Sequence, residues 1–250
     1  MLTPERHARI LELLQANEVV RLQQFVDATT SSESTIRRDL AQLEEERKLK
    51  RVHGGAALLK GKRDEQTVAQ KSTKNLQEKR KIAQLAAQSV QPGDCLYLDA
   101  GTTTYEMIPF LTVEDLVVVT NGISLVNTLL EQGVQTYLLG GAVKPNTHAL
   151  IGRGALTSMQ SYRFDKAFLG TNGIHLQHGC TTPDPEEAMI KEQAIALAGE
   201  AYVLADPSKF HEVSFARFAS LEEVRIITCE EKEIDLSSFQ QHSKLEVVTS

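Results

Sequence analysis

Apolar residues recur at helical spacing three times within the first 43 positions. Ile10, Leu13 and Leu14 form one stripe, Leu22, Phe25 and Val26 a second, and Ile36, Leu40 and Leu43 a third. The pattern predicts three short helices. The first opens at Thr3-Pro4-Glu5, a hydroxyl, a first-turn proline and an acid near the positive end of the helix dipole. Val19–Leu22 leads into the second, and Thr29–Ser32 turns the chain into the third, with Ser32 as the expected N-cap. The period then changes. Lys48 to Leu58 reads as two short extended segments around the Gly54-Gly55 turn, with Lys50, Arg51 and His53 on the first. Leu59 to Lys74 has no clean period. Beyond it a helix near 77–90 is followed by alternating apolar runs and helical intervals. Those runs are Cys95–Asp99, Leu116–Thr120, Thr136–Leu139, Ala167–Leu169 and Ala201–Leu204. Short apolar runs with room for crossover helices predict an open α/β domain with a mostly parallel sheet. The expected organisation is a small domain over 1–58, a connector over 59–74 and an α/β domain over 75–250.

Charge distinguishes the two ends. The chain of 250 residues has a formal net charge of −6, yet residues 1–63 carry +3 and the rest −9. A basic head on an acidic body suits a nucleic-acid reader joined to something else. No apolar run is long enough to span a bilayer, the N-terminus lacks a signal-peptide design, and Cys95, Cys180 and Cys229 lie far apart. Reduced thiols in a cytoplasmic protein are expected, with no membrane partner.

At about 100° per residue, the face of the third helix opposite its apolar stripe carries Ser34, Arg38, Ala41 and Gln42. Such a face suits the major groove, where Arg reads guanine and Gln reads adenine. Thr35 and Ser32 lie at the same end. Arg37, to one side, is expected on phosphate, as are Lys50, Arg51 and His53. Glu44-Glu45-Glu46 would be repelled by the DNA backbone, so only the N-terminal half of the helix should enter the groove. Three short helices and a hairpin, in this order, are the parts of a winged helix-turn-helix.

Ser34-Thr35-Ile36-Arg37-Arg38-Asp39-Leu40, followed by Leu43-Glu44 and Arg51-Val52-His53-Gly54-Gly55-Ala56, resembles the DNA-binding signature of the DeoR family of bacterial transcription regulators. Arg47 departs from it, standing where many members have glycine. The body is similar to that family's C-terminal sensor domain through Asp99-x-Gly101-Thr102-Thr103-Thr104, Val119-Thr120-Asn121, Gly140-Gly141, Phe164-Asp165-x-Ala167-Phe168-x-Gly170, Glu186-Glu187-Ala188 with Lys191, and Asp206-x-Ser208-Lys209-Phe210. The resemblance implies a domain similar to ribose-5-phosphate isomerase that binds a phosphorylated sugar. Asp99–Pro109 and Lys71–Lys79 are similar to fructose-operon repressors within the family, which implies fructose 1-phosphate as the first candidate.

In open parallel sheets, ligands bind beyond the carboxyl ends of the strands. Those ends carry Asp99, Gly101, Thr102, Thr103 and Thr104, then Thr120 and Asn121, Gly140 and Gly141, Asn172, and Asp206 with Lys209. Gly101–Thr104 running into a helix offers amides and hydroxyls to a phosphate. Lys209 and Lys191 could neutralise the anion. These residues form the expected effector site.

The alternative is a sugar-phosphate isomerase with an accessory DNA-binding domain. Its relatives' acidic loop would fall on Leu169-Gly170-Thr171-Asn172, where both acids are missing, and the lysine-plus-glycine stretch would fall near Pro183–Glu187, where neither survives. Glu192 could overlay the base but would lack its supporting acids. No nucleophile elbow, Walker loop or zinc-protease motif is present. His175-x-x-His178-x-Cys180 lacks a fourth ligand for a metal. No cofactor, metal or catalytic residue is expected. The expected molecule is a repressor of a sugar-utilisation operon, released by the phosphorylated sugar, with an activator built of the same parts as a further alternative. It acts on double-stranded operator DNA as a homodimer or homotetramer.

Overall fold

The computed structural model describes residues 1–17, 19–46, 48–52, 54–58, 61–231 and 234–248. The chain divides into two units, Met1–Gly61 and Lys62–Ser250.

In the first unit, α1 (Thr3–Asn17), α2 (Leu22–Thr29) and α3 (Glu33–Glu45) bring their stripes together. Ile10, Leu14, Phe25, Ile36 and Leu43 are fully buried against one another. The wing has three strands, β1 (Val19–Arg21), β2 (Leu49–Val52) and β3 (Gly55–Leu58), in the order β1-β3-β2. The sequence predicts β1 only as a lead-in to the second helix. Three residues are too few to show a period, and the partner strand lies more than thirty positions away. Both pairs are antiparallel, with Val20 opposite Ala56 and Arg51 opposite Ala56 on the other side. Gly55 packs against β1 so closely that a Cβ would fall 2.1 Å from the Val20 carbonyl oxygen. Gly55→Ala is therefore expected to lower the stability of this unit by about 1–3 kcal/mol, measured by thermal melting.

The second unit begins with α4 (Val68–Thr73) and α5 (Leu76–Ala87). Then follow β4 (Cys95–Leu98), α6 (Thr102–Tyr105), β5 (Val117–Thr120), α7 (Ile123–Glu131) and β6 (Gln135–Leu138). A hairpin of β7 (Ala142–Val143) and β8 (Leu150–Ile151) leads to α8 (Gly152–Met159) and β9 (Phe164–Gly170). The remainder is β10 (Gly173–His175), β11 (Gly179–Thr182), α9 (Pro185–Leu197), β12 (Ala198–Leu204), β13 (Ala216–Ala219), β14 (Arg225–Cys229), α10 (Ser237–His242) and β15 (Lys244–Val248). Residues 62–73, part of the expected connector, belong to this unit and contribute α4.

A parallel seven-stranded sheet runs β15-β14-β12-β9-β4-β5-β6. Its central strands read as continuous apolar runs because both faces are covered. Tyr97, Val119, Ala167, Leu169 and Val203 face α8 and α9, while Leu96, Leu98, Val118, Phe168 and Leu204 face α5 and α7. β14 and β15 extend the sheet beyond the strands expected from the apolar runs. β15 mixes Lys244 and Glu246 with apolar residues, as an edge strand requires. The antiparallel sheet β10-β11-β13 stands apart from the main one. Strand order reverses between β4 and β9, the kind of switch point at whose carboxyl ends open parallel sheets hold ligands.

Candidate functional site

In the first unit, Ser32 caps α3 by accepting the Thr35 amide at 3.3 Å. Its hydroxyl also bonds those of Ser34 (3.0 Å) and Thr35 (2.8 Å), so this cluster shapes the helix start. Ser34, Arg38 and Gln42 are exposed together, whereas Ala41 is half-buried and not on the open face. Gln42 donates to Glu46 at 3.0 Å, and Arg37 pairs with Glu33 at 2.6 Å. Arg38 makes no ion pair among the described residues. On the wing, Lys50 and Arg51 are exposed, and the Arg51 amide is held by Glu44 at 2.8 Å. Glu44 thereby ties the end of α3 to β2. His53 and Arg47 lie outside the described residues.

Asp39 was not singled out in the sequence, yet it is the organising charge of this unit. It is 4% exposed and bonds the guanidinium of Arg6 through both carboxylate oxygens, with His7 at 3.3 Å. Burial alone would raise its pKa, but the hydrogen bonds from Arg6 and His7 outweigh that and hold it below the usual carboxylate range.

In the second unit a cavity of about 340 Å³ opens at the ends of β4 and β5. Ala100, Gly101 and Thr102 form one wall, Gly122 and Ser124 another, and Val68 and Ser72 of α4 a third. Glu106 reaches it from the end of α6 and is paired with Arg80 at 2.8 Å. A Cβ on Gly122 would come within 2.9 Å of the Ala100 Cα, so the two strand-end loops touch through glycine.

Of the effector residues expected from sequence, Gly101 and Thr102 line this cavity. Others build the loops behind it. Thr104 donates to the carbonyls of Asp99 (2.7 Å) and Gly101 (2.8 Å), and Thr120 to that of Leu98 (2.6 Å). Asn121 accepts the Ala100 amide at 3.0 Å and donates to the Leu150 carbonyl at 3.3 Å. Thr103 is buried. Gly141, at φ +136°, passes against Ile151 and supports the β7–β8 hairpin, and Gly140 is exposed beside it. Asn172 accepts from Thr182 at 3.3 Å.

Lys191 and Asp99 are not brought to the cavity either. They are buried as a direct ion pair, and Lys191 also donates to the Gly170 carbonyl at 3.0 Å and lies over the Phe218 ring. The Gly170 amide in turn donates to Asp99 at 3.0 Å. A lysine whose charge is matched within the fold ties α9 to β4 and β9 and is not available to an anion.

Asp206 and Lys209 belong to a second polar group. Asp206 is buried and accepts from Asn75 at 2.8 Å, with Lys209 3.3 Å away. Lys79 of α5, also within their electrostatic reach, is 4% exposed and donates to the carbonyl of Lys71, the neighbour of the cavity residue Ser72. Burial lowers the Lys79 ammonium to about 8, against the opposing pull of Asp206. Lys79 is not among the site residues that the sequence predicts. Its signal was present, since Lys79 precedes Ile82, Ala83 and Ala86 on the buried stripe of the helix.

A winged helix-turn-helix with an open arginine-bearing helix, joined to an α/β unit with a strand-end cavity, defines a ligand-responsive transcription regulator. Residues 6–62 match the DeoR-like helix-turn-helix domain and residues 74–231 the DeoR C terminal sensor domain. The chain belongs to the DeoR family of transcription regulators. It is 51% identical over 249 residues to the uncharacterized HTH-type transcriptional regulator FruR of Bacillus subtilis (strain 168), covering 99% of each chain. With the HTH-type transcriptional repressor GlcR of the same organism it shares 34% over 91% of this chain and 88% of that one. Among solved structures, ribose 5-phosphate isomerase A from Methanocaldococcus jannaschii is similar at a TM-score of 0.41 and 17% identity, over 54% of this chain and 55% of that one. No helix among the described residues is long and apolar enough to cross a membrane.

Proposed function

We propose that this regulator is a cytoplasmic repressor of a sugar-utilisation operon, released from its operator by a phosphorylated sugar that enters the strand-end cavity. The observation that carries this reading is the strand-end cavity walled by Gly101, Thr102, Ser72 and Ser124, with the buried Lys79 donating to the carbonyl of Lys71, one residue before Ser72, and lying in the field of Asp206 and Lys209. A buried lysine whose charge is disfavoured gains most from an incoming phosphate, and the hydroxyls and Glu106 suit a polyol. Repression is favoured by the likeness to GlcR, which is called a repressor. Fructose 1-phosphate is the first candidate, through the likeness of Asp99–Pro109 to fructose-operon repressors. Operator binding would use paired heads, in a homodimer or homotetramer, because one small winged helix covers too few base pairs. The chain acts as a sensor and not as an isomerase: the positions of the acidic loop are Leu169 and Asn172, and an aldose–ketose assay is expected to show no turnover.

Lys79→Met tests the site. Sugar-phosphate affinity is expected to fall about 10- to 100-fold, the worth of a charge-assisted hydrogen bond. The melting temperature should be retained or raised, because burial already disfavours the ammonium. Wild-type affinity should also fall as pH rises through 8, by up to about tenfold per unit, as Lys79 loses its proton. The phosphate, with its second pKa near 6, is already a dianion there, so the sign belongs to the lysine. Titration calorimetry from pH 7 to 9.5 checks both. Unchanged affinity in Lys79→Met would remove Lys79 from the site.

A further inference from the structure

Residues 62–73 directly follow the DNA-binding unit in the chain, and polar contacts hold them to the sensor at successive points. The Lys62 carbonyl accepts the Phe215 amide at 3.0 Å, and the Arg63 guanidinium lies over the Phe215 ring. The Val68 amide donates to the Asn146 carbonyl at 3.0 Å. Between them the Glu65 carboxylate, 5% exposed, bonds directly to Lys144 and lies 2.8 Å from Lys71. None of the α4 residues is buried. A segment held by charges and hydrogen bonds, with little apolar burial, can open without disturbing the core.

The same contacts lead to the cavity. Lys144 also pairs with Asp184 (3.0 Å) and Glu187 (3.2 Å). Glu187 accepts the hydroxyl of Thr147 at 2.8 Å, and Thr147 lines the cavity. Lys71 adjoins Ser72, on the cavity wall. Glu65 therefore meets the cavity wall by two routes without lining it. A separate space of about 180 Å³, lined by Arg63, Glu65, Lys144 and Asp184, leaves room for movement beneath the segment.

We infer that residues 62–73 are a strap, clasped by Glu65 on Lys144 and braced internally by Lys71, through which occupancy of the cavity is transmitted to the segment that follows the DNA-binding unit. The inference rests on the cavity being the effector site. A ligand that repositions Val68, Ser72 or Thr147 changes the clasp, and by reciprocity the clasp changes the cavity. Burial alone would raise Glu65, but the charges of Lys71 and Lys144 outweigh it and keep the carboxylate ionised at neutral pH.

The test is amide hydrogen exchange on the full chain, with peptides from β4 and β5 as reference. Without ligand, Glu65→Gln is expected to raise exchange across 62–73 by about tenfold or more, leaving the reference strands unchanged. Lys144→Arg, which keeps the charge, should retain most of the protection. Equal exchange of 62–73 in wild type and Glu65→Gln would overturn the clasp, whatever the effector. In a second arm, fructose 1-phosphate should alter exchange in both 100–106 and 62–67 of wild type. In Glu65→Gln it should still bind and alter 100–106 alone. A response confined to 100–106 in wild type would overturn transmission through the strap. A missing response everywhere, beside an intact ligand-free difference, would count against this sugar under the proposed function and leave the clasp supported.

Discussion

Asp39→Ala is expected to unfold the DNA-binding unit while leaving the sensor unit folded. The substitution removes the partner of the Arg6 guanidinium, which is 8% exposed and has both carboxylate oxygens of Asp39 as acceptors. Breaking one side of a buried ion pair costs about 3–5 kcal/mol, because the remaining charge is stranded. A unit of 61 residues has little more than that to lose, at roughly 0.05–0.15 kcal/mol per residue. Calorimetry of the full chain should show the transition of the first unit lost or shifted far down, with that of the second unchanged. All DNA binding, specific and non-specific, should go with it. Arg6→Met combined with Asp39→Leu should recover much of the loss, since the pair is then replaced and not broken. A recovery no better than Asp39→Ala would show that the pair is needed for geometry beyond its charge balance. The pH dependence has a fixed sign. The folded-state pKa of Asp39 lies below its unfolded value near 4, so its contribution is fully present above that value. It is lost as pH falls through the folded-state value, and acid should melt the first unit accordingly.

Arg38→Ala is expected to do the opposite: leave the fold intact and remove sequence reading. Arg38 is exposed, lies between Ser34 and Gln42, and makes no ion pair among the described residues. It has no structural task to lose. A bidentate arginine–guanine contact contributes about 1–3 kcal/mol of discrimination, so affinity for the specific operator should fall about 10- to 100-fold. Affinity for unrelated duplex, the melting curve and sugar-phosphate binding should stay as in wild type. Arg37→Ala should instead weaken all duplexes alike and reduce the slope of affinity against salt by about one ion. Its partner Glu33 is exposed, so the pair yields readily to a phosphate. Fluorescence anisotropy across a salt series separates the two residues. A uniform loss with a changed salt slope in Arg38→Ala would place Arg38 on the backbone and not on a base.

The exposed positions of Ser34, Arg38 and Gln42 were readable from a helical wheel. So were the Ser32 cap, the three helical stripes of the first unit, and the central strands of the sheet. Each depends on residues within a few positions of one another, where a period of 3.6 or an unbroken apolar run leaves a local mark. The glycine and hydroxyl residues at the strand ends were equally visible, and Gly101 and Thr102 line the cavity there. Which of them face it was not readable. Thr104, Thr120 and Asn121 have the chemistry of ligand contacts, but their hydrogen bonds are spent on backbone groups, Thr104's on its own loop and those of Thr120 and Asn121 on the neighbouring strand end.

Charge partners were the least legible. Arg6 with Asp39 lies 33 positions apart, Glu65 with Lys144 79, and Asp99 with Lys191 92. Sequence marks Arg6, Asp39, Glu65 and Lys144 as ordinary charges and Asp99 and Lys191 as effector contacts, because the burial and partner of each are set by the packing of distant elements. The same packing places Lys79 on a buried stripe, within the field of Asp206. Sequence alone thus determined the two classes of unit, the exposed face of the third helix, and the polar residues at the strand ends. Tertiary structure alone decided which of the charged residues there remain available and which are already neutralised. A short-range period is written in neighbouring residues, whereas the field around a charge belongs to the fold.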